Sequence, residues 1–350
     1  MVPKLAQAEQ RRSAVGGGVD ARRRFDKMAL LVIGGEGRHA EMRAIGATYG
    51  RHFRHRVFVD DVDPDAGALG ADVAADTVNV FPGLAPNSQA LYRAAIHPNS
   101  SFWQGKAAVT GHLIAAWDTP EWLVSQAKYL LGLAVIKERY PAVDWYIVVD
   151  SDTFVYPYRL GVGLDLFGGR NPEERVALGH VYRVRPGNGI MPFNIFLGGA
   201  GTVLSRGAVQ GMNVTRCVEH QLHDKRWNQM ASDWRMGYCM LNYMVRKVNV
   251  LPMYQSNDRF GCREGQKDCS WSGAYLHVMS PCALTFHYMT PEDMQRLYER
   301  DIAGNATTCV PTDWLRTTDC TCHPLGPATP DSDDPLKFGS LYQLKNGGTS

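Results

Sequence analysis

Two short apolar runs, Met28-Ala-Leu-Leu-Val-Ile33 and Trp145-Tyr-Ile-Val-Val149, constrain this chain more than any other feature. A strand with one wetted face alternates apolar and polar residues, so an unbroken run bounded by breakers reads as a strand covered on both faces. Burial on both faces implies a parallel sheet between helices, and the neighbouring sequence supplies those helices. His39 to Tyr49 places Met42, Ile45 and Tyr49 on one helical face, and Val57-Phe-Val59 follows as a strand ending in Asp60-Asp61. Pro120 to Glu138 reads as a helix that Thr119 can cap, with Leu123, Ala127, Leu130, Leu131 and Ala134 in one stripe and Pro141 as its stop. Val78 to Phe81 is expected as a third strand before a turn at Pro82 to Asn87, and Val176 to Tyr182 as another strand. The segment Ile195 to Leu204 is followed by a helix expected from Ser205 to His220.

With 350 residues, 45% of them apolar, the chain can bury one large core or two modest ones. The net charge of +2 provides no large field of one sign, which argues against a nucleic-acid partner. Residues 1–26 carry Arg11, Arg12 and Arg22 to Arg24 among Gly and Ala without apolar periodicity, and are expected to be a disordered basic leader. Residues 27–323 are expected to form a single α/β domain. Residues 324–350, rich in Pro, Asp and Gly, are expected to be a mobile tail.

All eight cysteines lie beyond residue 216: Cys217, Cys239, Cys262, Cys269, Cys282, Cys309, Cys320 and Cys322. An even count confined to one half suits a disulfide-stapled region formed in an oxidising compartment, with connectivity left open. A zinc reading rests on Cys320-Thr-Cys322-His323 alone, without paired CxxC knuckles. Asn99-Ser-Ser101, Asn213-Val-Thr215 and Asn305-Ala-Thr307 are N-glycosylation tripeptides. No apolar run approaches the roughly 18 residues that span a bilayer, and no secretory signal pattern is present. A secretory-pathway location, in the Golgi lumen, with an N-terminal membrane anchor absent from this sequence, reconciles these observations.

The strand at Trp145 ends in Asp150-Ser151-Asp152-Thr153. Ligands of parallel α/β sheets bind beyond the carboxyl ends of strands, where these carboxylates emerge. Two carboxylates at i and i+2 can converge on one hard divalent cation, and such an ion neutralises the diphosphate of a nucleotide. The same tetrapeptide is also a plausible Asx-turn with solvated acids. A haloacid-dehalogenase-type phosphatase would carry Thr or Val at the position that Phe154 occupies.

The stretch Asp144-Trp145-Tyr-Ile-Val-Val-Asp150-Ser151-Asp152-Thr153-Phe154-Val155 resembles the "DW…DDDTYV" block of glycosyltransferase family 31, in its Fringe and core 1 galactosyltransferase branch. Ser151 stands for the middle acid and Phe154 for the usual Tyr. Ala177-Leu-Gly179-His180 resembles the strand before that family's acceptor loop. Leu197-Gly198-Gly199-Ala200-Gly201-Thr-Val-Leu-Ser205 is similar to "GGAGYVLS", and Ser232-Asp233-Trp-Arg-Met-Gly237-Tyr-Cys239 to "EDVxxGxC". Thr285-Phe286-His287-Tyr-Met-Thr-Pro291 is similar to "FHxxxPxxM", while Arg43 and Thr48 match an opening "R…TW" helix and Lys128 a later lysine.

This resemblance, spanning roughly residues 28–295, implies a GT-A-like fold with a nucleotide-binding half (27–155) and an acceptor-binding, disulfide-rich half (156–323). It implies a UDP-sugar donor, a glycan or glycoprotein acceptor, and inverting transfer of galactose or N-acetylglucosamine in β1,3 linkage. Asp150, Asp152 and His287 would hold Mn²⁺ or Mg²⁺, and Asp233 would be the general base. Asp150, Ser151, Asp152, Arg43, Lys128, Gly199 and Ala200 would meet the donor, the glycines by admitting a close backbone approach. Asp233 also reads as a helix cap, Trp234 as an acceptor floor or a core residue, and His287 as a packed strand residue.

Two other classes compete. Gly35-x-Gly37-x-x-Ala40 follows a strand and opens a helix, and Asp60 ends the next strand, as in a dinucleotide-binding oxidoreductase. A non-catalytic glycan-binding relative would keep the fold without using Asp233 as a base.

Overall fold

The structure, a computed structural model, describes residues 25–83, 120–168, 171–185, 190–223, 231–250, 253–254, 283–301, 307–311 and 320–324. The two apolar runs are the central strands, β1 (Met28–Ile33) and β4 (Trp145–Asp150). They pair in parallel from Met28 opposite Trp145 to Ile33 opposite Asp150. Side chains alternate across the pleat, so the two faces feed two cores. Met28, Leu30, Val32, Ile147 and Val149 enter one; Ala29, Leu31, Ile33, Tyr146 and Val148 enter the other. Each Leu, Ile or Val buried in this way stabilises the fold by roughly 1.5–3 kcal/mol, which explains runs without polar interruption.

Five further strands complete the sheet: β2 (His55–Asp60), β3 (Thr77–Asn79), β6 (Val176–Gly179), β9 (Thr202–Ser205) and β10 (Arg246–Asn249). Their order is β10-β6-β9-β4-β1-β2-β3, with β9 antiparallel to both neighbours and every other pair parallel. This is a mixed α/β architecture with a largely parallel sheet, compatible with the GT-A-like expectation. Chain order reverses between β1 and β4, and the crevice beyond the carboxyl ends at such a point is where ligands bind.

Helix His39–Ala47 covers the first face with Met42 and Ile45. Helix Pro120–Arg139 covers the second; a Cβ at Gly132 would lie 2.8 Å from Val59 and 3.0 Å from Leu31, so the glycine lets this helix sit directly on the sheet. Helices Val214–His223 and Ser232–Asn242 share this second core and are joined by the disulfide Cys217–Cys239. A closure of this separation stabilises a fold by about 3 kcal/mol. It is the one disulfide among the described side chains. Cys262, Cys269 and Cys282 lie outside the described residues, as do the side chains of Cys309, Cys320 and Cys322.

Small sheets decorate the edge: β5 (Phe154–Val155) with β11 (Met253–Tyr254) and β12 (Thr285–Phe286), the hairpin of β7 (Val181–Val184) and β8 (Phe193–Phe196), and β13 (Thr307–Pro311) with β14 (Cys320–Pro324). Among the described residues no helix is long and apolar enough to cross a membrane.

Several expectations shift. The helix read from Ser205 to His220 is two, Arg206–Gly211 and Val214–His223. Ser205 caps the first by accepting from Ala208 N–H, and Asn213 starts the second by accepting from Arg216 N–H. The strand read from Val176 to Tyr182 divides at His180 into β6 and β7, because each half pairs with a different partner. Val78 to Phe81 is strand only as far as Asn79. Phe25, read as leader, is buried against Phe53 and Tyr158. Residues 1–24 and 325–350 lie outside the described residues.

Candidate active site

Asp150 is the last residue of β4, and Thr153 N–H closes a turn onto its carbonyl at 3.0 Å. Ser151 is buried and donates its N–H to the carbonyl of Ile33 at 2.9 Å, so the acidic turn is stitched to the end of β1. The chain then forms β5, which pairs antiparallel with β12 through Val155–Thr285 and Phe154–Phe286. That register carries the next residue, His287, back to the acidic turn. Met289 N–H donates to the carbonyl of Asp152 at 2.9 Å, and Tyr288 between them takes the left-handed conformation, φ 58°. A non-glycine residue held there costs about 1 kcal/mol or more, a local cost of bringing His287 inward.

His287 Nε2 lies 3.0 Å from Asp152 Oδ1 and 3.7 Å from Asp150 Oδ2. One ligand atom from each of the three residues falls within 4.8 Å of the others. Adjacent donors on a small octahedral cation lie about 3 Å apart, so two carboxylates and an imidazole at these separations fit one divalent ion. Burial raises the Asp150 carboxyl, and the charge of Asp152 adds to this. Burial also acts on Asp152, but the charge and hydrogen bond of His287 and the charge of Arg38 outweigh it and hold Asp152 below the usual range. Two carboxylates drawn this close repel one another, and a divalent ion held between them would relieve that repulsion.

Two side chains at this site escaped the sequence reading. Tyr129 is fully buried on the Pro120–Arg139 helix, and its hydroxyl donates to Asp150 Oδ1. Arg38, just before helix His39–Ala47, reaches Asp152 Oδ2 at 3.8 Å and Glu41 Oε1 at 3.0 Å. Tyr129 adjoins Lys128 in the sequence and Arg38 lies within the glycine-rich stretch, so each was overshadowed by a neighbour with a stronger motif.

Lys128 is buried and donates to the carbonyl of Gly34 at 2.6 Å while pairing with Asp61 at 3.3 Å. Burial lowers its pKa, against the pull of Asp61. It therefore anchors the exit of β1. Arg43 is exposed and donates to the carbonyl of Ala68, so its hydrogen bond engages a backbone carbonyl instead of the acidic turn.

The glycine turn packs between the acidic turn and His287. Gly199 and Ala200 are buried, and their carbonyls accept from Thr153 Oγ1 at 2.9 Å and Thr285 Oγ1 at 2.6 Å. A Cβ at Gly199 would lie 2.0 Å from His287 Nδ1. The close approach that glycine permits here is to the imidazole, and it seats the turn against both segments that carry the acidic and histidine side chains. Gly201 has φ 82°, a conformation that favours glycine.

Asp233 stands on the far side of the same turn. It occupies the first turn of helix Ser232–Asn242, whose N-cap is Ala231, so Asp233 does not cap the helix. Its Oδ1 accepts from Trp234 N–H at 2.8 Å, and the Gly198 backbone also donates to it. A Cβ at Gly198 would lie 3.4 Å from both Asp233 Cβ and Tyr129 Oη. Burial pushes the Asp233 carboxyl up to about 6, with the charge of Asp150 adding to the rise and the backbone hydrogen bonds opposing it. A carboxylate poised near neutrality is suited to general-base work. Trp234 is partly buried against the small core of Val184, Phe193 and Ile195.

The dinucleotide reading loses its ribose acceptor. Asp60 is fully buried, with one carboxylate oxygen 2.7 Å from His39 Nε2 and the other accepting from Asp61 N–H at 2.7 Å.

Residues 112–259 match the family model described as Fringe-like. No curated protein matches the chain. The matched segment contains Lys128, Tyr129, Asp150, Asp152, the glycine turn and Asp233, and it ends before His287. It supports a glycosyltransferase acting on glycans. Over residues 112–259 the chain is thus similar to the Fringe-like branch of glycosyltransferase family 31.

Proposed function

We propose that this protein is an inverting glycosyltransferase that moves galactose or N-acetylglucosamine from a UDP-sugar, in β1,3 linkage, onto a glycan or glycoprotein acceptor in the secretory pathway. The observation that carries this reading is the convergence of Asp150, Asp152 and His287 within 4.8 Å at the switch point of the sheet, with Asp233 behind the same glycine turn. Asp150, Asp152 and His287 would hold the cation, which when bound supplies Lewis-acid charge to the diphosphate leaving group.

The chain's own groups do the remaining work. Asp233, ionised above about pH 6, takes the proton of the acceptor hydroxyl as that oxygen attacks the anomeric carbon. Attack comes from the face opposite the leaving diphosphate, so the anomeric configuration inverts as the carbon–oxygen bond to phosphate breaks. Tyr129 orients the Asp150 carboxylate through its hydroxyl. Arg38 places a guanidinium, half exposed, at the rim beside Asp152, where an anionic donor enters. The secretory location is supported by the disulfide Cys217–Cys239 and by the sequons.

The test is UDP release and sugar transfer by purified protein with UDP-Gal, UDP-GlcNAc, UDP-GalNAc and UDP-Glc, each with Mn²⁺ and with EDTA. Metal-dependent turnover of one donor is the expected result and identifies the sugar. No turnover and no metal-dependent binding of any donor would refute the proposal.

A further inference from the structure

We infer that Asn213 carries an N-linked glycan in the folded protein, on the end of the sheet opposite the acidic turn. Of the three sequons, Asn213-Val-Thr215 is the one whose asparagine lies among the described residues. Asn213 and Thr215 are both exposed, while Val214 between them is buried and holds the tripeptide on the surface. The sequon also sits at a fixed break between two helices. Asn213 Oδ1 accepts from Arg216 N–H at 2.9 Å, and the Asn213 carbonyl accepts from Cys217 N–H at 3.1 Å.

This capping geometry is compatible with modification. The cap uses only the amide oxygen, so Nδ2 takes no part in it. Glycosylation replaces one Nδ2 hydrogen and leaves Oδ1 an acceptor, so the linkage and the helix cap coexist. In the transfer, the C1–Nδ2 bond forms as the C1–oxygen bond to a lipid-pyrophosphate oligosaccharide donor breaks. The pyrophosphate lipid departs and the Nδ2 proton passes to a base of the transferring enzyme. An open cleft of about 600 Å³ with a mixed polar and apolar lining, including Lys137, Glu138, Thr215 and Tyr243, adjoins the asparagine and leaves room for the innermost sugars.

The position also spares the active site. Ser205 pairs with Trp145 at the start of β4, whereas Asp150 ends that strand, so the segment after Ser205 emerges at the opposite edge of the sheet. The long helix reports the same polarity. Its Lys137 donates to the carbonyls of Gln210 and Met212, while Tyr129, about 12 Å earlier along the axis, reaches Asp150.

The inference rests on the secretory location proposed above, and the UDP-release assay tests the transferase reading separately. The full chain is led into a eukaryotic secretory pathway by a cleavable signal peptide, and the secreted protein is treated with peptide N-glycosidase and mapped by mass. The expected result is deamidation at Asn213, with loss of one glycan's gel shift in both Asn213→Asp and Thr215→Ala. Each variant keeps a capping side chain at 213, so each remains folded, with a melting temperature close to that of the parent. Recovery of unmodified Asn213 from folded, secreted protein overturns the inference. If Asn99 or Asn305 is modified in that same material while Asn213 is not, the chain met the transferring enzyme and the Asn213 assignment falls.

Discussion

Replacing Gly199 with alanine puts a methyl carbon where the His287 ring now lies. The new Cβ would sit 2.0 Å from Nδ1, 2.1 Å from Cε1 and 2.4 Å from Cγ, so one edge of the ring is blocked. Ordinary carbon–nitrogen contacts begin near 3.4 Å, so the ring or the turn must move by about 1.4 Å. The turn is held by Thr153 and Thr285 through its own carbonyls, which makes the imidazole the more mobile partner. Overpacking of this kind costs the fold about 1–3 kcal/mol. The larger effect falls on the cation, because ligand distances tolerate only about 0.2 Å of error and His287 would leave the cluster. Metal affinity should fall at least as far as when an outer partner is lost, roughly 10–100-fold. Mn²⁺ titration by calorimetry, with a melting curve in EDTA, separates the two losses. Gly37→Ala is the control, since a Cβ there meets nothing within 4 Å. A Gly199→Ala protein that binds Mn²⁺ as tightly as its parent would refute the reasoning.

Asp233→Asn should retain UDP-sugar binding and lose turnover by about 10²–10⁴-fold; unchanged turnover removes Asp233 from the chemistry. In the parent, activity should rise with pH through about 6 and level off above it, because the base must be ionised. The stability effect has the opposite sign: a carboxyl raised in the fold favours its protonated form, so stability from this group declines as pH climbs from about 4 to 6, by at most about 3 kcal/mol. Asp233→Asn should lack that decline in melting curves taken across the same range. Tyr129→Phe leaves Asp150 without its hydroxyl donor and should weaken Mn²⁺ binding roughly 10-fold while the fold persists, as calorimetry and circular dichroism would show. Changing Cys217 and Cys239 together to serine should cost about 3 kcal/mol in urea unfolding, and a loss near zero would mean that helix packing alone holds these two helices.

The central strands were legible from composition alone. Met28–Ile33 and Trp145–Val149 have no polar side chain to place on a wet face, so only a sheet covered on both sides accommodates them. The helix from Pro120 was equally legible because its start, stripe and stop are local signals. The hydrophobic pattern cannot mark a helix break that depends on a cap, and the interruption at Asn213 was therefore read through. It also cannot mark a change of strand partner, which is why β6 and β7 were read as one strand.

The acidic turn and Asp233 were legible as residue types at strand and helix ends, and their neighbouring blocks carried the family resemblance. Their relationship to His287 came from the family resemblance alone and from no local signal. Whether His287 reaches Asp152 depends on the pairing of β5 with β12 across about 130 residues of chain, and no local signal specifies a register at that distance. The purpose of Gly199 was hidden for the same reason, since its neighbour is an imidazole 88 positions away in sequence. Tyr129 reads as one more residue of an apolar helix until β4 is laid beside it. The sequence by itself determined which segments must be buried and which side chains can do chemistry, because both follow from local composition. Tertiary structure alone decided which of those side chains meet, because a site assembled from distant strand ends is a property of the packing and not of any single segment.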